Sequence, residues 1–274
     1  MKLLIIGGVA AGTKTAAKFK RENREAEVTL LSKSGDISYA GCGLPYYVGG
    51  AIQDKGELIV NTPQRFSALT GVEVKTLREA VKILPEEKRV EAKNLATGET
   101  ETYGYDALVI AVGASPVMPP VEGAELPGVF RVRTPGDAVA IREYLEENNV
   151  KKAVVAGGGF IGLEMAENLL QKGVAPTVVE AASQILPGVL DPEMAGYVKR
   201  HLQQNGVRVL TGTKAQGISG QERAEAVQTS GGSLPCGAVV FSVGVRPNTA
   251  FLEGTGIEMQ NGAVVVDENL PTSQ

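Results

Sequence analysis

The chain has no tryptophan, one histidine and two cysteines, and aromatic residues make up only 5% of its 274 positions. Each scarcity excludes something. One histidine with two cysteines far apart, Cys42 and Cys236, cannot supply the usual zinc ligand set, and no C-x-x-C pair exists, so no metal site is expected. Two isolated cysteines do not make a disulfide framework, which suits a reducing compartment. The net charge is −4 and no long basic run occurs, so nucleic acid is not an expected partner. No apolar run approaches the roughly 20 residues of a membrane span. The opening MKLLII reaches glycine too soon for a signal peptide. A cytoplasmic protein without a membrane partner is the expectation.

Glycine, by contrast, is abundant, with 34 residues, and 43% of the chain is hydrophobic. That profile suits glycine-rich turns over apolar parallel sheets, in a chain long enough for two domains. Residues 2–6, KLLII, form a continuous apolar run, as a strand buried on both faces would. Gly7, Gly8, Val9, Ala10, Ala11 and Gly12 follow, and then a helical stretch, TKTAAKFKRE. Strand, glycine turn and helix are the ingredients of a dinucleotide-binding unit, in which a small turn lets pyrophosphate approach backbone N–H groups. The G-x-G-x-x-G match is imperfect because Val9 holds the second glycine position. The next strand, EVTLL, ends in Ser32 and Lys33 where an acid that binds a ribose hydroxyl is expected, so weaker nucleotide binding follows. Lys14, Lys18 and Arg21 share one face of the first helix. That stripe suits either a phosphate-rich substrate or simply a solvated surface.

Cys42 lies in SYAGCGLPYY, where Gly43, Leu44 and Pro45 read as the first corner of a short helix. A thiol there faces the positive end of the helix dipole, which favours the reactive thiolate. From this stretch alone, a small buried hydrophobe at a tight turn is an equal reading. Residues 63–70 suggest a helix, and runs near 72–76, 80–84, 88–93 and 100–105 suggest a small antiparallel meander. The segment YDALVIAVGA is a second buried strand ending in glycine, and the proline-rich residues 115–128 look like a connection.

A second unit begins with an amphipathic helix over 135–148. The strand KKAVVAG then leads into Gly157, Gly158, Gly159, Phe160, Ile161 and Gly162, a complete G-x-G-x-x-G with the required flanks. The strand PTVVE ends at Glu180, close to the expected acid position. That carboxylate would bind a ribose 2′-hydroxyl and repel a 2′-phosphate, favouring NADH over NADPH. His201 reads as a surface residue, and Cys236 as a structural one at the entrance to a buried strand. Two such units in one chain suggest electron transfer between two dinucleotides, normally nicotinamide and flavin. The fold expected is α/β, with two Rossmann-like dinucleotide-binding domains (the FAD/NAD(P)-binding fold), three-layer sheets and small antiparallel meanders.

At this point IIGGVAAG, SYAGCGLPYYVGG, YDALVIAVGASP, GGGFIGLE and SVGVRPNTAF, in that order, resemble the flavin-dependent pyridine nucleotide-disulfide oxidoreductases. The branch resembled is the single-cysteine one, which contains coenzyme A-disulfide reductases and NADH oxidases. The resemblance implies an FAD domain of residues 1–113 plus 242–274, interrupted by an NAD(P) domain of residues 114–241. It implies that Gly7 to Gly12, Ser32, Lys33, Val81 (near the adenine), Ala111, Gly113 and Arg133 serve FAD. By the same likeness Gly157, Gly159, Phe160, Ile161, Gly162, Glu180 and Gly244 serve the nicotinamide nucleotide, and Glu164 lies near the flavin–nicotinamide junction.

The implied activity is that of an FAD-dependent NAD(P)H:disulfide oxidoreductase with Cys42 as the catalytic thiol. Electrons pass from NADH or NADPH through FAD to its sulfur, which carries a mixed disulfide or a sulfenic acid. Arg21 and Ser38 match positions where coenzyme A reductases bind their substrate, so a small disulfide or persulfide, such as coenzyme A disulfide, is the implied partner. Gly41 stands where the branch has asparagine, and Lys14 and Lys18 differ from its pattern. Ala10 stands where peroxidase and oxidase members carry histidine, which favours disulfide over peroxide chemistry. The family continues past a segment like DENLPTS into a flavin motif and a C-terminal dimerisation domain, both absent here, and is expected to be homodimeric. An NADH oxidase that reduces oxygen through a Cys42 sulfenic acid, and a nucleotide-binding remnant without turnover, are the alternatives.

Overall fold

The computed structural model describes residues 1–273; Gln274, the last residue of the expected 242–274 segment, lies outside the described residues. The chain begins with β1 (Lys2–Ile6), α1 (Ala10–Glu22) and β2 (Glu27–Ser32). After α2 (Leu44–Gly49) come α3 (Pro63–Thr70) and the strands β3 (Glu73–Thr76), β4 (Arg78–Leu84), β5 (Arg89–Asn94), β6 (Thr100–Gly104) and β7 (Ala107–Ile110). The short β8 (Ala114–Pro116) and β9 (Val129–Arg131) precede α4 (Pro135–Glu147), β10 (Lys152–Ala156), α5 (Phe160–Gln171) and β11 (Ala175–Val179). Then follow α6 (Pro192–Gln204), β12 (Arg208–Leu210), β13 (Ala215–Ser219), β14 (Ala226–Thr229), β15 (Gly232–Pro235) and β16 (Ala238–Phe241).

Two compact units form. One contains residues 1–39, 59–115 and 246 onward; the other contains 40–58 and 116–245. In the first, β1 is buried from Leu3 to Ile6 because its neighbours β2 and β7 pair with it on both sides, in parallel, within the order β3-β2-β1-β7. Alternate residues serve opposite faces. Leu3 and Ile5 pack with Ala16 of α1 and Phe66 of α3, whereas Leu4 and Ile6 pack with Ile83, Val90 and Ala92 of the β4-β5-β6 meander. The result is three layers: helices, parallel sheet and meander.

The second unit repeats the plan with the all-parallel order β12-β11-β10-β16-β9 and a β13-β14-β15 meander. Ala153 and Val155 face Met165 and Leu169 of α5 and Ile141 of α4. Val154 and Ala156 face Ile218, Val227 and Cys236.

One expectation differs from this structure. Residues 72–76 were expected in the first meander, but Glu73–Thr76 joins the parallel sheet, with Leu30 opposite Val74. The alternating pattern of an edge strand is the same for either kind of partner, and a residue at positive φ, Leu77, separates it from β4. Residues 40–58 group with the second unit, because Leu44, Val48 and Leu58 are buried in the core beneath α4 and α5. No helix among the described residues is long and apolar enough to cross a membrane.

The first meander is fastened by one carboxylate. Glu101 accepts two hydrogen bonds from Arg78, at 2.9 and 3.1 Å, one from Asn94 at 2.9 Å and one from the Tyr103 hydroxyl. The Arg78 guanidinium, then the Tyr103 and Asn94 donors, draw the Glu101 carboxyl down to about 2. Burial, reinforced by Glu101, pushes the Tyr103 hydroxyl up to about 12. A depressed carboxyl contributes stability that is present above its unfolded value and lost as pH falls through its folded one. Thermal unfolding midpoints measured from pH 5 to pH 2 should therefore fall more steeply in the parent protein than in Glu101→Gln. Equal slopes would show that this network is not what the meander loses in acid.

Candidate functional site

In each unit a buried parallel strand, β1 in one and β10 in the other, ends in a glycine turn, and the two turns make matching contacts. The Gly7 N–H donates to Leu31 O and the Gly157 N–H to Val179 O, both at 2.8 Å. Both glycines sit at positive φ, +118° and +115°. A side chain at Gly12 would start 1.8 Å from Gly7 O, and one at Gly162 would start 2.0 Å from Gly157 O. These glycines are demanded by helix–strand packing. The matching continues beyond the turns: the Ser38 N–H donates to Gly8 O and the Leu186 N–H to Gly158 O, each at 2.8 Å and each at positive φ. The signal was present as an isoleucine before each of them, Ile37 and Ile185, both fully buried against the turn.

Gly159 is different. It has no positive φ, and nothing lies within 4 Å of where its side chain would be. The fold leaves that position open, immediately before α5, and Val9 fills the matching place before α1. Helices α3, α4 and α6 are capped by the side chains of Thr62, Thr134 and Asp191, whereas α1, α5 and the six-residue α2 have no side-chain cap, and of these only α1 and α5 follow a strand and its glycine turn. An uncapped helix start presents backbone N–H groups without partners, and phosphate oxygens are fitting acceptors for them. Ala10 and Ala11 in one unit, and Phe160 and Ile161 in the other, are exposed around those starts. Both turns thus fit the pyrophosphate of a dinucleotide.

At the second strand the units diverge. The Glu180 carboxylate accepts from the Gly158 and Ala182 N–H groups, both at 2.7 Å, which fixes it beside the turn. Ser32, at the matching place, is buried and touches the space over Gly8. Lys33 turns outward and pairs with Glu79 at 2.7 Å. Val81 is exposed on β4, Ala111 donates its N–H to Ile6 O, and Gly113 takes positive φ with its carbonyl held by the Asn248 N–H.

The remaining expected residues are distributed over both units. Arg133 is exposed in the second unit, before α4, where its backbone N–H donates to Asp137. Glu164 is half-buried on α5, and Gly244 is at positive φ with open space around it. Lys14, Lys18 and Arg21 are exposed on α1. Arg21 also lines an open cavity of about 380 Å³ with Lys20, Arg24, Leu69 and Thr70.

Cys42 lies in the 3-10 turn Gly41–Gly43, directly before the six-residue α2, and is exposed. The turn is closed by the Gly43 N–H to Ala40 O at 2.9 Å and anchored by the Ala40 N–H to Leu58 O at 2.8 Å. The alternative of a small buried hydrophobe therefore applies to Cys236, not to Cys42. Cys236 is 7% exposed, and burial pushes its thiol up to about 11. His201 is on the surface of α6. Among the described residues no group of three or more metal-ligating side chains forms.

Two copies of one dinucleotide fold, each with an open helix start at a glycine turn, define the class of two-nucleotide redox folds. The family model described as pyridine nucleotide-disulphide oxidoreductase matches residues 1–274, and the chain belongs to that family. It is 37% identical over 273 residues to an NADH oxidase of Methanocaldococcus jannaschii, covering 100% of this chain and 61% of that protein. It is 36% identical to an NAD(P)H sulfur oxidoreductase (CoA-dependent) of Pyrococcus furiosus, covering 99% of this chain and 60% of that one. Among solved structures, an NAD-dependent persulfide reductase from A. fulgidus superposes with a TM-score of 0.96 at 36% identity, over 100% of this chain and 52% of that one. The chain thus spans about 60% of the length of the curated relatives it matches.

The burial contrast between the two thiols makes a direct prediction. At pH 8, iodoacetamide should modify Cys42 at least about tenfold faster than Cys236 in the folded protein, since reaction needs an accessible thiolate. Peptide mass analysis reads the ratio, and the difference should vanish in denaturant.

Proposed function

We propose that this chain carries the nucleotide-binding and thiol-bearing portion of a flavin-dependent oxidoreductase that takes electrons from NAD(P)H and reduces a small disulfide or persulfide at Cys42. The observation that carries the proposal is the pair of uncapped helix starts at matching glycine turns, since one chain built to hold two dinucleotides is built to couple them. The names of the persulfide reductase and CoA-dependent sulfur oxidoreductase relatives support the substrate class. In this reading residues 1–113 and 242–274 hold FAD and residues 114–241 hold the nicotinamide nucleotide. Bound FAD would supply a two-electron relay between the nicotinamide and sulfur.

The chain's own residues then have distinct tasks. Gly7, Gly8 and Gly12 let α1 begin close to the sheet, and the N–H groups of Val9, Ala10 and Ala11 meet phosphate. Ser32, Lys33, Val81, Ala111, Gly113 and Arg133 complete the flavin contacts. Gly159 leaves room for the second pyrophosphate before Phe160 and Ile161, and Gly157, Gly162, Glu164 and Gly244 shape that site. Glu180, already oriented by two backbone N–H groups, keeps lone pairs for a ribose hydroxyl and repels an added phosphate.

The Cys42 sulfur attacks one sulfur of the substrate RSSR, breaks its S–S bond and releases RS⁻. Two electrons then cleave the Cys42 mixed disulfide, restore the thiolate and release the second RS⁻. The balance is NAD(P)H + H⁺ + RSSR → NAD(P)⁺ + 2 RSH. Arg21 and Ser38 are assigned to the substrate, with coenzyme A disulfide the candidate. The M. jannaschii relative's name favours a second reading, oxygen reduction through a Cys42 sulfenic acid. Against it, α1 begins with Ala10 and not with a histidine, and the chain's one histidine lies on α6.

The test uses the purified protein saturated with FAD, with NADH consumption and thiol release followed on coenzyme A disulfide, polysulfide and oxygen. Thiol release should fall at least about 100-fold in Cys42→Ser, the order of loss seen when a covalent nucleophile is removed. Failure to bind FAD, or thiol release that survives the substitution, would overturn the reading; consumption with oxygen alone would select the oxidase. Glu180→Ala should weaken NADH about tenfold, the worth of one charge-assisted hydrogen bond. The same substitution should narrow the gap between NADH and NADPH, which titration of each nucleotide measures.

A further inference from the structure

The helix that follows Cys42 is too short to hold itself. Six residues cannot sustain a helix in water, and α2 has no side-chain cap at its start. Its order must come from what it packs on within the second unit, and those neighbours are α4 and α5. On the α4 side, Arg142 reaches the carbonyl end of α2. Its Nη1 lies 3.4, 3.3 and 3.2 Å from the carbonyl oxygens of Tyr47, Ile52 and Gln53, and the guanidinium carbon is 4.9 Å from the centre of the Tyr47 ring. One of the three carbonyls belongs to α2 and two to the segment just after it, so the guanidinium ties the helix to its exit loop and sets a cation at the helix's carbonyl end.

Arg142 is itself held in place. Glu146 accepts from its Nε at 3.4 Å and pairs with Lys172, at the end of α5, at 2.6 Å. On the α5 side, Gly49 has no room for a side chain. One would start 2.7 Å from Asn168 Oδ1 and 2.8 Å from that residue's Cβ and carbonyl oxygen. Asn168 is 1% exposed, its Nδ2 donates to Glu164 O at 2.8 Å, and its Oδ1 is a buried side-chain atom without a hydrogen-bond partner among the described residues. That oxygen meets the backbone of Gly49, so α2 is seated at the closest distance α5 allows.

We propose that Arg142 is a positioning residue for Cys42, clamping the carbonyl end of α2 from α4 while Gly49 is seated on Asn168. The clamp acts on the thiol only through the helix, and it stands independently of the oxidoreductase reading. Nothing in the sequence marks it, because a single arginine in an amphipathic helix looks like any solvated charge.

Mobility at Cys42 tests the clamp without reference to turnover. A nitroxide attached to Cys42 should give a largely immobilised room-temperature spectrum. In Arg142→Met, which keeps the stem beside Tyr47 but removes the donors and charge, the mobile fraction should at least double, and Arg142→Lys should fall between the two. Val240→Ala, in the core strand β16, serves as the control. It should lower the unfolding temperature and leave the spectrum unchanged. A line shape in Arg142→Met equal to that of the parent protein, or equal mobilisation by Val240→Ala, would overturn the proposal. Should the Met variant not fold, amide exchange in the parent protein decides. Residues 44–53 protected within tenfold of the α4 amides supports the clamp, and exchange more than 100-fold faster overturns it.

Discussion

The contact between a carbonyl oxygen and a glycine five residues later governs both halves of this protein. Gly7 O against Gly12, and Gly157 O against Gly162, leave no space for even one methyl group. Because they touch, the helix begins directly over the end of the central strand, and its first N–H groups point past the sheet instead of into it. A bulkier residue at either position would push the helix away and with it the buried Ala16 in one unit and the buried Met165 in the other. The positive φ of the first glycine and the place at which each helix begins go with that one approach.

Within this shared geometry the two halves have been tuned apart by single residues. Glu180 ties the second turn to its own strand end through two backbone N–H groups, so that turn is fixed before any nucleotide arrives. The first turn has the buried Ser32 there, and Val9 narrows the place that Gly159 leaves open. A preformed site loses less freedom on binding, so under the proposed reading the Glu180 contacts lower the ordering cost at the second turn.

Much of this was legible in the chain. Continuous apolar runs such as KLLII and KAVVA announce parallel strands buried on both faces, and each glycine turn sits at the matching place after its strand. The helix boundaries that carry a cap, at Thr62, Thr134 and Asp191, follow directly from residue type. What was not legible depends on contacts distant in sequence. Glu73–Thr76 alternates like a meander strand, and only its partner β2 decides that it runs parallel. The positive φ at Ser38 and Leu186, at residues with no local preference for it, arises from closing the same turn twice. The neighbours of the Cys42 segment lie some hundred positions further along, beyond any local pattern.

That last separation has a consequence during synthesis. Leu44, Val48 and Leu58 leave the ribosome well before α4 and α5 exist to cover them. At about 5–20 residues per second, the interval lasts from several seconds to some tens of seconds. Throughout it an apolar stretch with an exposed thiol at its head stays uncovered, on a nascent chain whose earlier strands are already free to pair. The cysteine segment is thus among the first parts of the protein to be made, and the two helices that cover it are made some hundred residues later.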